Sequence, residues 1–248
     1  MRELQDRYSA MASALRLYEA TLRFQLDVAL ASKSTLDSGI PLRHQIDLSL
    51  AASKMPSLLS IAIECAPEAL AGEARKLQQA GQETWIGLLQ SCLDLNSALA
   101  PHEDYFARAC MQPLAELLQL QLPADSNYGE SACPACGGLA QLSVLRPEGE
   151  GASRWLTCSF CLREWLFRRV ICPWCSEENK EKLPRYSADE YAHAHVEACD
   201  TCKRYLKSID MTIDGHAVPL VDEAALAVLD VWASDHGYTK IVRNLIGF

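Results

Sequence analysis

Cys133-Pro-Ala-Cys136 is the first of four CxxC pairs, and it is followed by Cys158-Ser-Phe-Cys161, Cys172-Pro-Trp-Cys175 and Cys199-Asp-Thr-Cys202. Two thiolates separated by two residues can bind one ion from a tight turn, and two such turns supply the four sulfurs of a tetrahedral site. These pairs contain eight of the eleven cysteines. The sequence therefore predicts two metal ions, each held by four cysteines.

The pairs repeat at nearly constant intervals, because the third follows the first by 39 residues and the fourth follows the second by 41. This spacing indicates a duplicated unit. Sequential sharing would place the first two pairs on one ion, with 21 residues between them, and the last two on another, with 23. Both gaps suit a hairpin-bearing ribbon. An interleaved arrangement stays open at this point, because spacing alone does not fix connectivity.

Composition favours a globular protein, with 49% hydrophobic residues in a chain of 248. The N-terminus is charged and lacks an apolar signal region, and no stretch predicts a membrane-spanning helix. We therefore expect a cytoplasmic protein without membrane insertion, in which CxxC pairs are ligands rather than disulfides. The net charge of −9 is shared by both halves, which argues against nucleic acid as a partner.

The first half of the chain has helical periodicity and almost no glycine. The patterns predict helices at 4–32, 42–52, 57–65, 67–80, 82–99 and 102–121, with prolines punctuating them. After the last cysteine pair we expect a strand at 205–213 and a final helix that begins near Asp222, which would cap it. The expected fold class is α+β. Its predicted parts are a helical domain (1–123), two four-cysteine metal modules (124–170 and 171–216) and a C-terminal helix and tail (217–248).

Several other residues have more than one interpretation. His193 and His195 could bind metal, but surface or hydrogen-bonding roles are the better interpretation. Cys65, Cys92 and Cys110 are interpreted as buried apolar residues. Aromatic and basic residues near the second and third pairs could stack nucleic-acid bases, although their alternation favours one packed face. They are Arg154, Trp155, Phe160, Arg163, Trp165, Phe167, Arg168, Arg169 and Trp174.

The order of short motifs is specific across residues 131–240. Glu164-Trp165 follows the second pair, Tyr205-Leu-Lys207 follows the fourth, and Leu229-Asp230 and Gly237-Tyr238 occur in the closing segment. In this order, with all four CxxC pairs, the chain resembles the formate dehydrogenase accessory protein family, FdhE. The helical N-terminal half agrees with that family in character only.

The resemblance implies a helical domain followed by two rubredoxin-like modules that can hold iron. It also implies a cytoplasmic factor that binds the catalytic subunit of a molybdenum- or tungsten-dependent formate dehydrogenase and is required for its activity. The chain departs from a rubredoxin turn in one respect: Gly137 follows the first pair, but Leu162, Ser176 and Lys203 follow the others. Glycine eases this turn, so zinc is an alternative to iron.

The leading hypothesis, which rests on the ordered four CxxC pairs and on this resemblance, is a non-enzymatic assembly factor. The sequence contains no phosphate-loop, dinucleotide or nucleophile-elbow motif. One alternative is a rubredoxin-like electron carrier. Another is a zinc-ribbon nucleic-acid-binding protein. Whether the chain forms a homo-oligomer is left open by the sequence.

Overall fold

The computed structural model describes residues 11–95, 97–123 and 129–247. The chain divides into two compact units, one formed mainly by the residues up to Pro123 and the other mainly by residues 129–244. The first unit is helical. Its α-helices are α1 (Ala12–Ala31), α2 (Leu48–Cys65), α3 (Glu68–Ala80), α4 (Gln82–Leu93) and α5 (Pro101–Gln119).

Helix α2 is the centre of the helical unit and contacts each of its other four helices. Two helices were predicted here, at 42–52 and 57–65, with Pro56 between them. The structure has only a short 3-10 turn at Leu42–Gln45 and then one helix that passes through Pro56. Pro56 is exposed, so the backbone hydrogen bond that it removes lies on the solvent side, while the buried apolar stripe continues on the other side.

Other predicted boundaries shift for local reasons. Asp47 caps α2 by accepting a hydrogen bond of 2.9 Å from the backbone N–H of Leu50. The predicted helix 82–99 ends earlier, at Leu93, where Asp94 adopts an extended conformation. The predicted start of the first helix, at residues 4–10, lies outside the described residues, as does most of the turn segment at 123–130.

Helix α2 also has the length and apolar composition of a membrane-spanning helix, with a mean hydropathy of 1.2 over 18 residues. No helix of this length and apolar composition was predicted from the sequence. The core helix of a globular unit passes the same test, and α2 buries Ala52, Met55 and Leu59 among the neighbouring helices. One third of this 18-residue window is buried in the structure.

The second unit contains one seven-stranded sheet. The strands are β1 (Ala140–Glu148), β2 (Gly151–Cys158), β3 (Glu164–Phe167), β4 (Arg185–Ser187), β5 (Ala194–Cys199), β6 (Arg204–Asp210) and β7 (Thr239–Lys240). Their order across the sheet is β3-β2-β1-β6-β5-β4, and β7 pairs with β6. Strands β1, β2 and β3 form one antiparallel meander, and β4, β5 and β6 form another. The two meanders join through a parallel pairing of β1 with β6.

The sheet has the repeat that the cysteine spacing predicts. Strand β2 ends at Cys158 and β5 ends at Cys199, and in each meander the next strand begins a few residues after the following CxxC turn. The observed fold class is α+β, as predicted, with helices followed by a mixed sheet that carries two four-cysteine clusters.

The C-terminal segment forms two helices, α6 (Pro219–Ala225) and α7 (Ala227–Asp235), where one had been predicted from Asp222. Pro219 starts α6, since proline is well suited to the first turn. Asp222 lies inside α6 and accepts a hydrogen bond of 2.7 Å from the backbone N–H of Val218. The chain leaves helical geometry at Leu226 and then resumes it.

These helices and β6 enclose a buried charge network. The Lys207 ammonium lies 3.1 Å from a carboxylate oxygen of Glu223 and 2.5 Å from one of Asp230. Lys240 pairs with the same two carboxylates, 2.9 Å from that of Asp230. The Tyr205 hydroxyl donates to Asp230 at 2.7 Å. Two cations and two anions therefore balance inside the unit, and the motif residues Tyr205, Lys207 and Asp230 are placed together by packing.

Replacing Lys207 by methionine is expected to destabilise the sheet-containing unit by about 3–5 kcal/mol, because two buried carboxylates would be left with one cation. The shift can be measured by thermal unfolding followed by near-ultraviolet circular dichroism. Lys182→Met is the matched control, since its side chain is 55% exposed and its nearest carboxylate is 3.9 Å away. Equal unfolding midpoints for both variants would contradict a supporting role for the network.

Candidate metal centres

The eight paired cysteines lie in two groups, one made by the first two CxxC turns and the other by the last two. Within each group all four sulfurs lie within 4.8 Å of one another. Three of the sulfur–sulfur distances are 3.4 Å for Cys136–Cys158, 3.6 Å for Cys175–Cys199 and 3.8 Å for Cys172–Cys202. Tetrahedral ligation with metal–sulfur bonds of about 2.3 Å requires sulfurs roughly 3.8 Å apart. The grouping is sequential, not interleaved, and its dimensions fit a single ion in each group.

Three of the four CxxC turns are closed by a backbone hydrogen bond of the same kind. The N–H of Gly137 donates to the carbonyl oxygen of Cys133 at 2.9 Å, and Ser176 and Lys203 make the equivalent bonds to Cys172 and Cys199 at 3.0 and 2.8 Å. This hydrogen bond keeps each of these turns tight, so that its two cysteine side chains face the same point. In the third turn, the Trp174 N–H also lies 3.4 Å from the Cys172 sulfur.

The residue after each CxxC pair has a left-handed backbone conformation. The φ angles are 71° at Gly137, 57° at Leu162, 59° at Ser176 and 55° at Lys203. The last three are the only described residues other than glycine with positive φ. A residue with a Cβ atom adopts this conformation at a cost of about 1–2 kcal/mol. The departure from glycine therefore leaves the turn geometry unchanged and places local strain at three of the four turns.

The two groups differ in solvent exposure. All four cysteines of the first group are buried, whereas Cys175 in the second is exposed and Cys202 is half-buried. Burial raises the pKa of the Cys172 thiol to about 11. Burial also acts to raise the pKa of Cys175, but a hydrogen bond from the Glu177 backbone and bonds from neighbouring thiols outweigh it, so this pKa is lowered. The pKa values of Cys172 and Cys175 are therefore shifted in opposite directions.

His193 and His195, which precede the fourth CxxC pair, are buried and not on the surface. Neither belongs to a four-cysteine group. His193 Nε2 lies 3.6 Å from a carboxylate oxygen of Asp222, and His195 Nε2 lies 3.5 Å from one of Asp210. Burial and the positive charge of Arg185 lower the pKa of His195. Their carboxylate neighbours could not be identified from local sequence, since Asp222 is almost thirty positions away.

The single cysteines follow their predicted role only in part. Cys110 is buried, Cys92 is half-buried and Cys65 is exposed near the end of α2. Cys65 lies outside the buried stripe of α2. Burial raises the pKa of Cys92 to about 12.

The aromatic and basic residues that suggested nucleic-acid stacking do not form one exposed surface. Most are buried, namely Arg154, Phe160, Arg163, Trp165 and Phe167. The Trp165 indole N–H donates to the Glu130 carbonyl at 2.9 Å. Among the exposed members, Arg168 forms an ion pair with Glu178. The alternation along the strand thus marks a packed face.

Replacing Ser176 by glycine is expected to raise the stability of the metal-loaded protein by about 0.5–1 kcal/mol, since relief of the left-handed strain exceeds the entropy that glycine adds to the unfolded chain. The same change at exposed Ser187, at the end of β4, should lower stability by a similar amount, because no positive φ is relieved there. The thermal unfolding midpoints of both variants test whether the two changes shift stability in opposite directions. Shifts in the same direction would contradict it.

Comparison with known protein families assigns the sheet-containing half of the chain. A family model described as "FdhE, central domain" matches residues 132–169, and one described as "FdhE, C-terminal domain" matches residues 170–246. Together they contain all four CxxC turns and the buried charge network.

Individual relatives extend the similarity beyond these domains. A "Protein FdhE homolog" of Aquifex aeolicus is 28% identical, over 77% of this chain and 68% of the relative. One of Pseudomonas aeruginosa is 30% identical, over 70% of this chain but only 58% of the relative. The crystal structure of the FdhE protein from Pseudomonas aeruginosa superposes with a TM-score of 0.74 at 24% identity, covering 99% of this chain and 93% of that one, and so shares the fold. Residues 132–246 are thus similar to the central and C-terminal domains of FdhE, and the chain is similar to the FdhE proteins of these bacteria.

Proposed function

We propose that the eight paired cysteines bind two metal ions, iron or zinc, one in each four-cysteine group. The support is the sulfur separation, which fits one tetrahedral ion per group, and the four turns that hold the thiols ready. Iron and zinc are both compatible with four thiolates. In either case the ion would be fully ligated, so it would leave no open position for hydrolytic chemistry.

Metal analysis of the purified protein tests this assignment. We expect about two ions per chain in the natural sequence and about one in the double variants C133S/C136S and C172S/C175S. Cys65→Ser is the matched control, because Cys65 is exposed and outside both groups. Unchanged metal content in both double variants would rule the ligand assignment out.

We propose further that the protein is a non-catalytic assembly factor that binds the catalytic subunit of a molybdenum- or tungsten-dependent formate dehydrogenase and is needed for its activity. The observation that carries this proposal is the similarity to FdhE over the two domains that hold the cysteine groups. Closed tetrathiolate sites stabilise a small folded surface, which suits recognition of another protein better than substrate turnover. The proposed setting is the cytoplasm, where an immature client subunit would be available.

Affinity capture from the natural host, grown under conditions that require formate dehydrogenase, tests the client. We expect the tagged protein to enrich a formate dehydrogenase catalytic subunit, and the enrichment to fall at least about tenfold in the C133S/C136S variant, since loss of one metal would unfold its module. The Cys65→Ser variant should behave as the natural sequence.

A companion deletion experiment separates binding from necessity. Loss of the gene should abolish formate dehydrogenase activity while the catalytic polypeptide remains detectable by mass spectrometry. Full activity after deletion would overturn the proposed function, whatever the capture shows.

A rubredoxin-like electron carrier is the second candidate, and the exposure of Cys175 favours it, because electron transfer requires a metal centre close to the surface. Iron-loaded protein would then show a visible charge-transfer spectrum that dithionite bleaches and air restores. A colourless, zinc-loaded protein purified from the natural host would exclude this role.

A further inference from the structure

A cleft of about 450 Å³ lies in the sheet-containing unit beside the second cysteine group. Leu145 and Leu206, from the paired strands β1 and β6, contribute to its lining, together with the segments 169–173 and 183–185. Cys172 and Cys199 line one part of it. The volume falls within the range of small-ligand sites, which is about 300–1,000 Å³.

The charges that line this cleft are unequal. Five cationic side chains face a single carboxylate, that of Glu197, in a protein whose net charge is −9. The cationic residues are Arg154, Arg169, Lys180, Arg185 and Arg204. A concentration of one sign in an oppositely charged protein is an attraction for small ions of the other sign.

Two of the five cations already have partners. Arg154 is buried and pairs with Glu197 at 2.6 Å, while its other nitrogens donate to Ser143 and to backbone carbonyls. Arg185 lies 3.4 Å from a carboxylate oxygen of Asp210. Each of these ion pairs offsets one of the positive charges that line the cleft.

The other three cations, Arg169, Lys180 and Arg204, have no carboxylate within 4.0 Å among the described residues. The Arg204 guanidinium lies over the Trp174 ring, 3.8 Å from its centroid. Stacking occupies the face of a guanidinium and leaves its in-plane N–H donors available for an anion.

We propose that this cleft binds an organic diphosphate through Arg169, Lys180 and Arg204. A diphosphate places about three negative charges close together in a cleft that three unneutralised cations line, and arginine binds phosphate oxygens in bidentate fashion. An acidic peptide would need three acidic residues to supply the same charge. These residues span roughly 10 Å of extended chain, so the charge is less concentrated than on a diphosphate. The apolar walls, which include Ile171, Pro173 and Pro184, suit the organic part of the ligand.

A purely electrostatic role toward the cysteine group is the rival explanation, because four thiolates around a divalent ion carry a net charge of about −2. The two explanations differ in what the cations control. Counter-charges would control metal retention, whereas a ligand site would control the affinity for diphosphate at constant metal content. The proposal is independent of the client that the protein binds.

Isothermal titration calorimetry of the metal-loaded full chain tests the site, with ADP, pyrophosphate, adenosine and an acidic hexapeptide as probes. We expect saturable binding of ADP and pyrophosphate, with ADP at least as tight, no binding of adenosine, and weakening as salt is raised. Arg169→Gln, Lys180→Gln and Arg204→Gln should each reduce ADP affinity about tenfold at unchanged metal content. Arg168→Gln is the matched control, since this exposed arginine pairs with Glu178 and does not line the cleft.

Four results would overturn the proposal. They are absence of saturable binding by ADP and pyrophosphate at millimolar concentration, tighter binding of the hexapeptide than of ADP, loss of metal from the three cleft variants, and an equal effect of the control.

Discussion

The constraint that shapes the second unit is the convergence of four sulfur atoms on one point, twice. Side chains of two residues separated by two others can meet in this way only if the backbone reverses at once, and the reversal requires a left-handed residue after the second cysteine. Strands β2 and β5 end at a cysteine turn, and β3 and β6 begin within a few residues after one. The sheet is accordingly built outward from the cysteine groups, and its strands connect one turn to the next.

A second set of constraints acts away from the sulfurs. Helices α6 and α7 bring Glu223 and Asp230 to Lys207 on β6, and Lys240 on β7 completes the charge balance. The burial of Lys207 lowers its pKa despite both carboxylates. A cluster of this kind is costly to leave incomplete, so it fixes the position of the C-terminal helices relative to the sheet strands of the same unit. The motif residues Lys207 and Asp230 are thus explained by packing and not by reactivity.

The sequence predicted those features that depend on short-range chemistry. The cysteine spacing predicted two groups, sequential sharing and a repeat, because ligand geometry acts over a few residues. The predicted helix break at Pro56 was wrong, because proline interrupts a helix only where its missing hydrogen bond matters. The exposed side of α2 tolerates this loss. The position of Asp222 inside α6 and the carboxylate neighbours of His193 and His195 depend on contacts between distant segments. Local patterns contain no information about such contacts. The basic cleft could not be predicted for the same reason, since its cations come from separate segments of the chain.

The order of the strands has a consequence for how the protein behaves among its copies at high concentration. The two ends of the principal row of strands are its shortest members, β3 with four residues and β4 with three. Short outer strands that begin with a charged residue, Glu164 or Arg185, offer few free backbone groups in line for a foreign strand to join. The duplicated meanders place their longest strands, β1 and β6, next to each other in the interior. An arrangement that hides the long strands and ends in brief ones protects the protein against the strand-by-strand growth of fibrils.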